Sequence, residues 1–125
     1  MGFADVDSLP RQVRFNFPRA VSIGLALEPS IVCEIKNGPT QRYHQEYCRV
    51  NKKLAERGKV AEQFLHERGF EARALLPTVH DLDYDTLATP LPHKTVATLA
   101  GLGWIGKSAV DYQTVRTGFA VNNCF

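Results

Sequence analysis

The chain has 125 residues, of which 44% are hydrophobic and 22% are charged, a composition typical of one soluble globular domain. Its net charge of +2 lacks the basic excess that characterises nucleic-acid-binding domains. The sequence contains no apolar run long enough to span a membrane, and no apolar segment near Met1 resembles a secretory signal. We therefore expect a cytoplasmic protein that binds neither membranes nor nucleic acid.

The first third of the chain predicts short elements. Residues 5–18 suit a short helix, because Pro10 can occupy its first turn. The run Ala20–Leu27 is apolar, continuous and rich in β-branched residues, which predicts a buried strand. Pro29 can then begin a brief helix that Gly38 ends.

The longest predicted element is a helix from Gln41 to about Arg68, with Thr40 as its N-cap. Gly58 predicts a kink or a join between two helices, and Gly69 suits the residue that ends the helix. Apolar residues recur along it at helical spacing and predict the face that packs against the core. They are Tyr43, Tyr47, Val50, Leu54, Ala61, Phe64 and Leu65.

The second half of the chain predicts further short elements. They are a strand over Phe70–Leu76, a long loop over 77–92, a helix over His93–Ala100, a turn over Gly101–Gly106, and one or two strands within Ala109–Val121. Strands that alternate with helices predict the α/β (α+β) class. We expect a single compact domain over residues 1–125, with a small mixed sheet, one long helix and several short helices.

The segment Gly101–Ser108, GLGWIGKS, fits the phosphate-binding pattern G-x-x-x-x-G-K-[ST]. A working loop of this class follows a strand and begins a helix. Here a predicted helix precedes the glycines and a predicted strand follows them. The match is therefore expected to be accidental.

Metal sites have little support in the sequence. Residues 81–85 carry aspartates at alternate positions, but the glycine and glutamate that a calcium loop requires are missing. His44 and Cys48 would share a helix face, yet no further pair of ligands has a matching spacing. The other cysteines, Cys33 and Cys124, form no C-x-x-C pair, so we predict neither a metal site nor an iron–sulfur cluster.

The segment Leu91–Ser108, LPHKTVATLAGLGWIGKS, resembles a signature of the epoxyqueuosine reductase family. The resemblance is to the N-terminal, cobalamin-binding domain of these iron–sulfur and corrinoid-dependent enzymes of tRNA modification, which are related in fold to reductive dehalogenases. It covers residues 5 to about 110. Supporting matches are Phe17–Leu27, the helix residues Tyr43, Tyr47, Asn51 and Leu54, and His66–Thr78.

Two departures from the family pattern affect the expected activity. The aspartate thought to be the family's proton donor corresponds to Leu87, so that acid is missing unless Asp85 replaces it. The family also continues into a ferredoxin-like domain with two four-iron, four-sulfur clusters, whose cysteines these 125 residues do not contain. The resemblance thus implies a domain that is not a complete reductase. If active, it would be an oxidoreductase that needs an electron-donating partner.

The resemblance implies a cobalamin pocket that Trp104 and Lys107 support, with a strand backbone against the corrin ring. The His93-Lys94 pair would add an imidazole and a cation beside an anionic ligand or the cofactor. The candidate cofactor-binding residues are thus Trp104, Lys107, Asp111, Tyr112, Gln113, His93 and Lys94.

Two alternatives to a corrinoid-binding domain stay open. The chain could be a non-catalytic interaction or dimerisation module without a cofactor. It could also be a small flavin-binding redox protein, because the wider fold relatives include flavin enzymes. In the absence of the family's second half we expect exposed apolar surface, and hence a homodimer or an iron–sulfur protein partner.

Overall fold

The structure is a computed structural model. It describes residues 1–77, 91–104 and 119–124, the last range by its backbone alone. These residues form three strands, three α-helices and one turn of 3-10 helix. In chain order they are β1 (Gly2–Asp5), β2 (Arg19–Ala26), α1 (Pro29–Cys33), the 3-10 turn (Glu34–Asn37), α2 (Gln41–His66), α3 (His93–Leu99) and β3 (Phe119–Cys124).

The sheet has the order β1-β2-β3, so β2 is its central strand. Both pairings are antiparallel: Ala4 lies opposite Ala20 in the first, and Leu25 opposite Ala120 in the second. The α/β (α+β) class, with one long helix and several short ones, is confirmed. No parallel pair, which a mixed sheet requires, is among the pairings in the described ranges.

The central strand is covered on both faces. Successive side chains of a strand point to opposite sides of the sheet. Ala20 packs with Ala4 and Val6 beside Val96 of α3. On the other side, Ile23 and the adjoining Leu27 pack with residues of α2, Val50 and Leu54. The sheet therefore lies between α2 and α3.

The predicted ends of α2 are confirmed. At its start, the Thr40 side chain accepts a hydrogen bond of 3.1 Å from the backbone N–H of Tyr43. At its end, Gly69 has φ +79° and donates to the carbonyl of His66, while Phe70 donates to the carbonyl of Leu65. This pair of hydrogen bonds is a Schellman motif, which satisfies carbonyls that a helix end leaves without partners.

Gly58 is buried within α2, which continues through it as one helix. Of the two outcomes predicted at this position, the join between two helices is therefore wrong. Gly58 lies about one turn after Leu54, on the side of α2 that packs against the sheet. The glycine is thus part of the buried face of α2.

The predicted apolar face of α2 is buried only in part. Val50 and Leu54 are fully buried, and Tyr43 and Ala61 pack against them. Tyr47 and Phe64 are 38% and 51% exposed.

Glu46 is a buried member of the α2 face that was not predicted from the sequence. Its carboxylate accepts a hydrogen bond from the Arg49 Nε at 2.6 Å and one from the Glu28 backbone N–H at 3.2 Å. The Arg49 hydrogen bond lowers the pKa of Glu46 below its ordinary value, against the opposing effect of burial. Glu46 therefore ties the start of α1 to α2.

The predicted helix within residues 5–18 is wrong, because this segment forms turns. Phe15 and Asn16 have φ values of +52° and +65°, which a right-handed helix does not allow. The guanidinium of buried Arg14 holds the turns together. It donates to the carbonyls of Leu9 at 3.1 Å and Phe17 at 2.9 Å.

The predicted strand at Phe70–Leu76 is also wrong, since the segment is extended but pairs with no strand in the described structure. Side chains of α2 contact its backbone instead. The Ala74 N–H donates to Glu62 Oε1 at 2.8 Å, and His66 Nε2 lies 3.0 Å from the Ala72 carbonyl oxygen and 3.3 Å from the Ala72 nitrogen. The segment therefore runs alongside the C-terminal part of α2.

Two other predictions fall mainly outside the described residues. The predicted loop over 77–92 is described only at residues 77, 91 and 92. The strand prediction over Ala109–Val121 is described only from residue 119, where β3 begins. No helix in the described ranges has the length and apolar character that a membrane span requires.

Leu54→Ala should lower the free energy of unfolding by about 2–5 kcal/mol, because it leaves a cavity between α2 and the sheet. Leu54 is fully buried, whereas Lys59 on the same helix is exposed. Urea denaturation would measure both substitutions. Lys59→Ala is the control and should change stability by less than about 0.5 kcal/mol. If Leu54→Ala leaves the free energy of unfolding almost unchanged, the packing of α2 against β2 is contradicted.

Candidate functional site

The described part of the signature, Leu91–Trp104, begins with the predicted helix. Residues His93–Leu99 form α3, after Pro92 at its N-cap. Val96 and Ala97 are fully buried, and Val96 belongs to the cluster that β1 and β2 form on this face of the sheet. The signature segment is therefore anchored on the sheet through α3.

Gly101 ends α3 by the same motif that Gly69 provides for α2. Gly101 has φ +70° and donates to the carbonyl of Thr98 at 3.0 Å, while Leu102 donates to the carbonyl of Ala97 at 2.9 Å. The first glycine of GLGWIGKS thus terminates a helix, which agrees with the expectation that a helix precedes this segment. Residues 105–108 lie outside the described residues.

Gly2 lies very close to Ala100 at the end of α3, a contact that was not predicted from the sequence. A Cβ at this position would lie 2.7 Å from the Ala100 carbonyl oxygen and 2.9 Å from the Ala100 Cβ. It would also lie 3.1 Å from Leu102 Cδ2. Strand β1 therefore packs against the end of α3 at a separation that only glycine allows.

His93 is half-buried at the start of α3, and its Nε2 lies 3.1 Å from the carbonyl oxygen of Leu76. Because a carbonyl only accepts, Nε2 is the nitrogen that carries hydrogen. Burial lowers the pKa of His93 below its ordinary value of 6.5, and the hydrogen bond to Leu76 opposes this effect. The neutral imidazole joins α3 to the extended segment that follows α2.

Trp104 and Lys94 are both exposed, and Trp104, the only tryptophan of the chain, exposes 58% of its surface. Lys94 follows His93 at the start of α3, whereas Trp104 comes after its end. The seven residues of α3 span about 10 Å. The structure therefore places the His93-Lys94 pair in the first turn of α3 and Trp104 beyond the other end of this short helix.

The other four candidate cofactor-binding residues, Lys107, Asp111, Tyr112 and Gln113, lie outside the described residues. The role that the resemblance implies for them stays a prediction.

The His44–Cys48 pair shares a face of α2, as the helical spacing predicts. The two side chains meet at 3.6 Å between Nε2 and Sγ, and both residues are exposed. Within the described ranges, no group of three or more His, Cys, Asp or Glu residues could hold a metal ion. Two ligands alone do not make a metal site.

A second surface of interest lies on α2. Val60 and Phe64 are 68% and 51% exposed and line a shallow groove with Glu56, Arg57 and Ala61. Exposed apolar residues that cluster in this way are characteristic of interaction surfaces.

In comparisons with protein-family models, curated proteins and solved structures, nothing matches this chain. The resemblance to the epoxyqueuosine reductases therefore depends on the sequence signature alone.

Gly2→Ala should lower the free energy of unfolding by about 1–3 kcal/mol, because the added methyl group meets backbone and not a flexible side chain. Phe3→Leu is the control, since Phe3 is 72% exposed on the same strand. Thermal unfolding of both variants would measure the difference. Equal stability of Gly2→Ala and the wild type would show that β1 and α3 are not in close contact.

The pKa of His93 predicts how stability depends on pH. Because burial lowers this pKa, the neutral imidazole stabilises the fold above pH 6.5, and the contribution is lost as the pH falls below that value. His93→Gln keeps an N–H donor for the Leu76 carbonyl but cannot titrate in this range. Melting temperatures between about pH 7.5 and 5.5 should therefore fall less in His93→Gln than in the wild type.

The control for the pH experiment is His44→Gln, which changes an exposed histidine on α2. It should keep the pH dependence of the wild type. An unaltered pH dependence in His93→Gln would contradict the burial of a neutral His93.

Proposed function

We propose that this chain is a cofactor-binding domain whose ligand is a corrinoid, and that its binding site includes Trp104. The observation that carries the proposal is the exposure of Trp104 directly after a firmly anchored helix. Val96 is buried against the sheet, and Gly101 fixes the turn that leads towards Trp104. An exposed aromatic ring close to the end of an anchored helix suits the recognition of a flat, largely apolar ligand.

The described residues fit a role in binding. A corrinoid would supply a redox-active cobalt centre, and this chain would bind and orient it. The ring of Trp104 offers apolar contact area, and the ammonium group of Lys94 offers a cation for an anionic part of the ligand. The resemblance implies that electrons come from iron–sulfur clusters, and these 125 residues do not contain the cysteines of those clusters. We therefore assign the electron supply to an iron–sulfur protein partner.

A non-catalytic interaction module is the second candidate function. The exposed Val60 and Phe64 on α2 favour it, because exposed apolar side chains gain stability when another protein covers them. This function requires no cofactor.

Equilibrium dialysis against cob(II)alamin would test the proposed function, with flavin mononucleotide as the ligand of a parallel experiment. We expect the purified protein to bind cob(II)alamin with a dissociation constant of roughly micromolar order or below. Trp104→Ala should weaken this binding about tenfold or more, since it removes an aromatic contact. Phe70→Ala, at a residue 63% exposed, is the matched control and should leave binding unchanged.

Lys107→Ala provides a second variant, because the resemblance implies that Lys107 contacts the ligand. It should weaken binding and leave the melting temperature nearly unchanged. Failure of the wild-type protein to bind cob(II)alamin at high micromolar concentration would contradict the proposal. If the protein binds flavin mononucleotide and does not bind cob(II)alamin, its ligand is a flavin and not a corrinoid.

A further inference from the structure

One face near the C-terminal end of α2 carries an ordered set of four side chains. Arg57, Val60, Phe64 and Glu67 follow one another at intervals of three and four residues, which places them in a single stripe on the helix. All four residues are exposed, Val60 and Phe64 by 68% and 51%. We call this set the α2 stripe. Two apolar residues lie at its centre, a positive charge lies at the Arg57 end, and a negative charge lies at the Glu67 end.

Other sides of α2 make its contacts with the rest of the described structure. Leu54 and Ala61 pack towards the sheet. Glu62 and His66 hold the extended segment through Ala74 and Ala72. With 100° of rotation per residue, Glu62 lies nearly opposite Val60 around the helix axis. The extended segment therefore approaches α2 away from the α2 stripe.

Phe64 is held in place before any partner arrives. The guanidinium of Arg68 lies 3.5 Å from the centre of the Phe64 ring, and its NH1 donates to the Phe64 carbonyl at 3.1 Å. A cation over an aromatic face is an attractive interaction. A side chain that is already ordered loses less conformational entropy on binding. The α2 stripe thus presents a partly fixed aromatic residue to solvent.

We propose that the α2 stripe binds a second copy of this chain in an antiparallel helix pair. The two-fold axis would pass level with residue 62. Val60 would then face the partner's Phe64, and Arg57 would face the partner's Glu67. Symmetry repeats each contact, so two apolar layers lie between two pairs of opposite charge.

The order of charges selects the antiparallel arrangement. A parallel pair would place Arg57 against Arg57 and Glu67 against Glu67, and like charges in contact repel. The antiparallel pair replaces both repulsions by attractions. Burial of Val60 and Phe64 supplies the affinity, while exposed ion pairs contribute little energy and set the orientation. This division of roles is the one seen in antiparallel and parallel coiled coils.

Analytical ultracentrifugation of the protein without cofactor, over a range of concentrations, would test the proposal. We expect a reversible monomer–dimer equilibrium for the wild type. Arg57→Glu and Glu67→Arg each create two like-charge contacts in the dimer, so each should weaken dimerisation by about tenfold or more. The double variant R57E/E67R restores opposite charges and should dimerise like the wild type.

Mixing the two single variants gives the sharpest test. A heterodimer of Arg57→Glu with Glu67→Arg contains only opposite-charge contacts, so the mixture should dimerise more strongly than either variant alone. Lys59→Glu is the matched control, because it makes the same change of charge at an exposed residue about 100° away from Val60 on α2. It should leave dimerisation unchanged, and circular dichroism should show that all variants fold.

A wild-type protein that stays monomeric at all concentrations would overturn the proposal. A dimer that neither single variant weakens, or a mixture of variants that stays monomeric, would overturn it as well. Because no cofactor is present, these outcomes are independent of whether the protein binds a corrinoid.

Discussion

The packing of β2 on both of its faces is the constraint on which the rest of the structure depends. Ala20 contributes to the cluster that holds β1 and α3, and Ile23 contributes to the cluster that holds α2. A strand buried on both faces is expected to be apolar at most successive positions, which explains the run Ala20–Leu27, where Ser22 is the polar exception and is itself fully buried. Removal of β2 would leave α2 and α3 without the surface that each one covers.

This arrangement also explains why the two helices offer different kinds of surface. Helix α3 is short, and its C-terminal end packs closely against Gly2 of β1. Trp104 follows the turn after this end and is exposed there. Helix α2 has 26 residues and packs towards the sheet through Val50, Leu54 and Ala61. Another side of its C-terminal part keeps an exposed face, the α2 stripe, for contact with a partner.

Local signals in the sequence predicted the elements that local interactions determine. Thr40, Gly69 and Gly101 cap helices through hydrogen bonds to neighbours in the chain, and all three were predictable from residue type. The signature helix α3 was predictable for the same reason. The candidate residues Lys107 and Asp111–Gln113 lie outside the described residues, so that part of the site stays a prediction.

The failures have a common physical origin in contacts between distant parts of the chain. The segment Phe70–Leu76 has the composition of a strand, but Glu62 accepts one of the hydrogen bonds that a neighbouring strand would take. Arg14 folds its segment into turns by binding carbonyls before and after it. Gly2 carries no local signal, because its requirement arises from Ala100, which is distant from it in the sequence.

We propose that the anchored signature segment presents Trp104 to a ligand. Time-resolved fluorescence of Trp104 is the most direct test. Trp104 is the only tryptophan, so its lifetime reports on this site alone. We expect acrylamide to quench Trp104 efficiently in the free protein, and saturating cob(II)alamin to shorten its lifetime and protect it from acrylamide. If cob(II)alamin leaves both the lifetime and the acrylamide sensitivity unchanged, Trp104 does not contact this ligand.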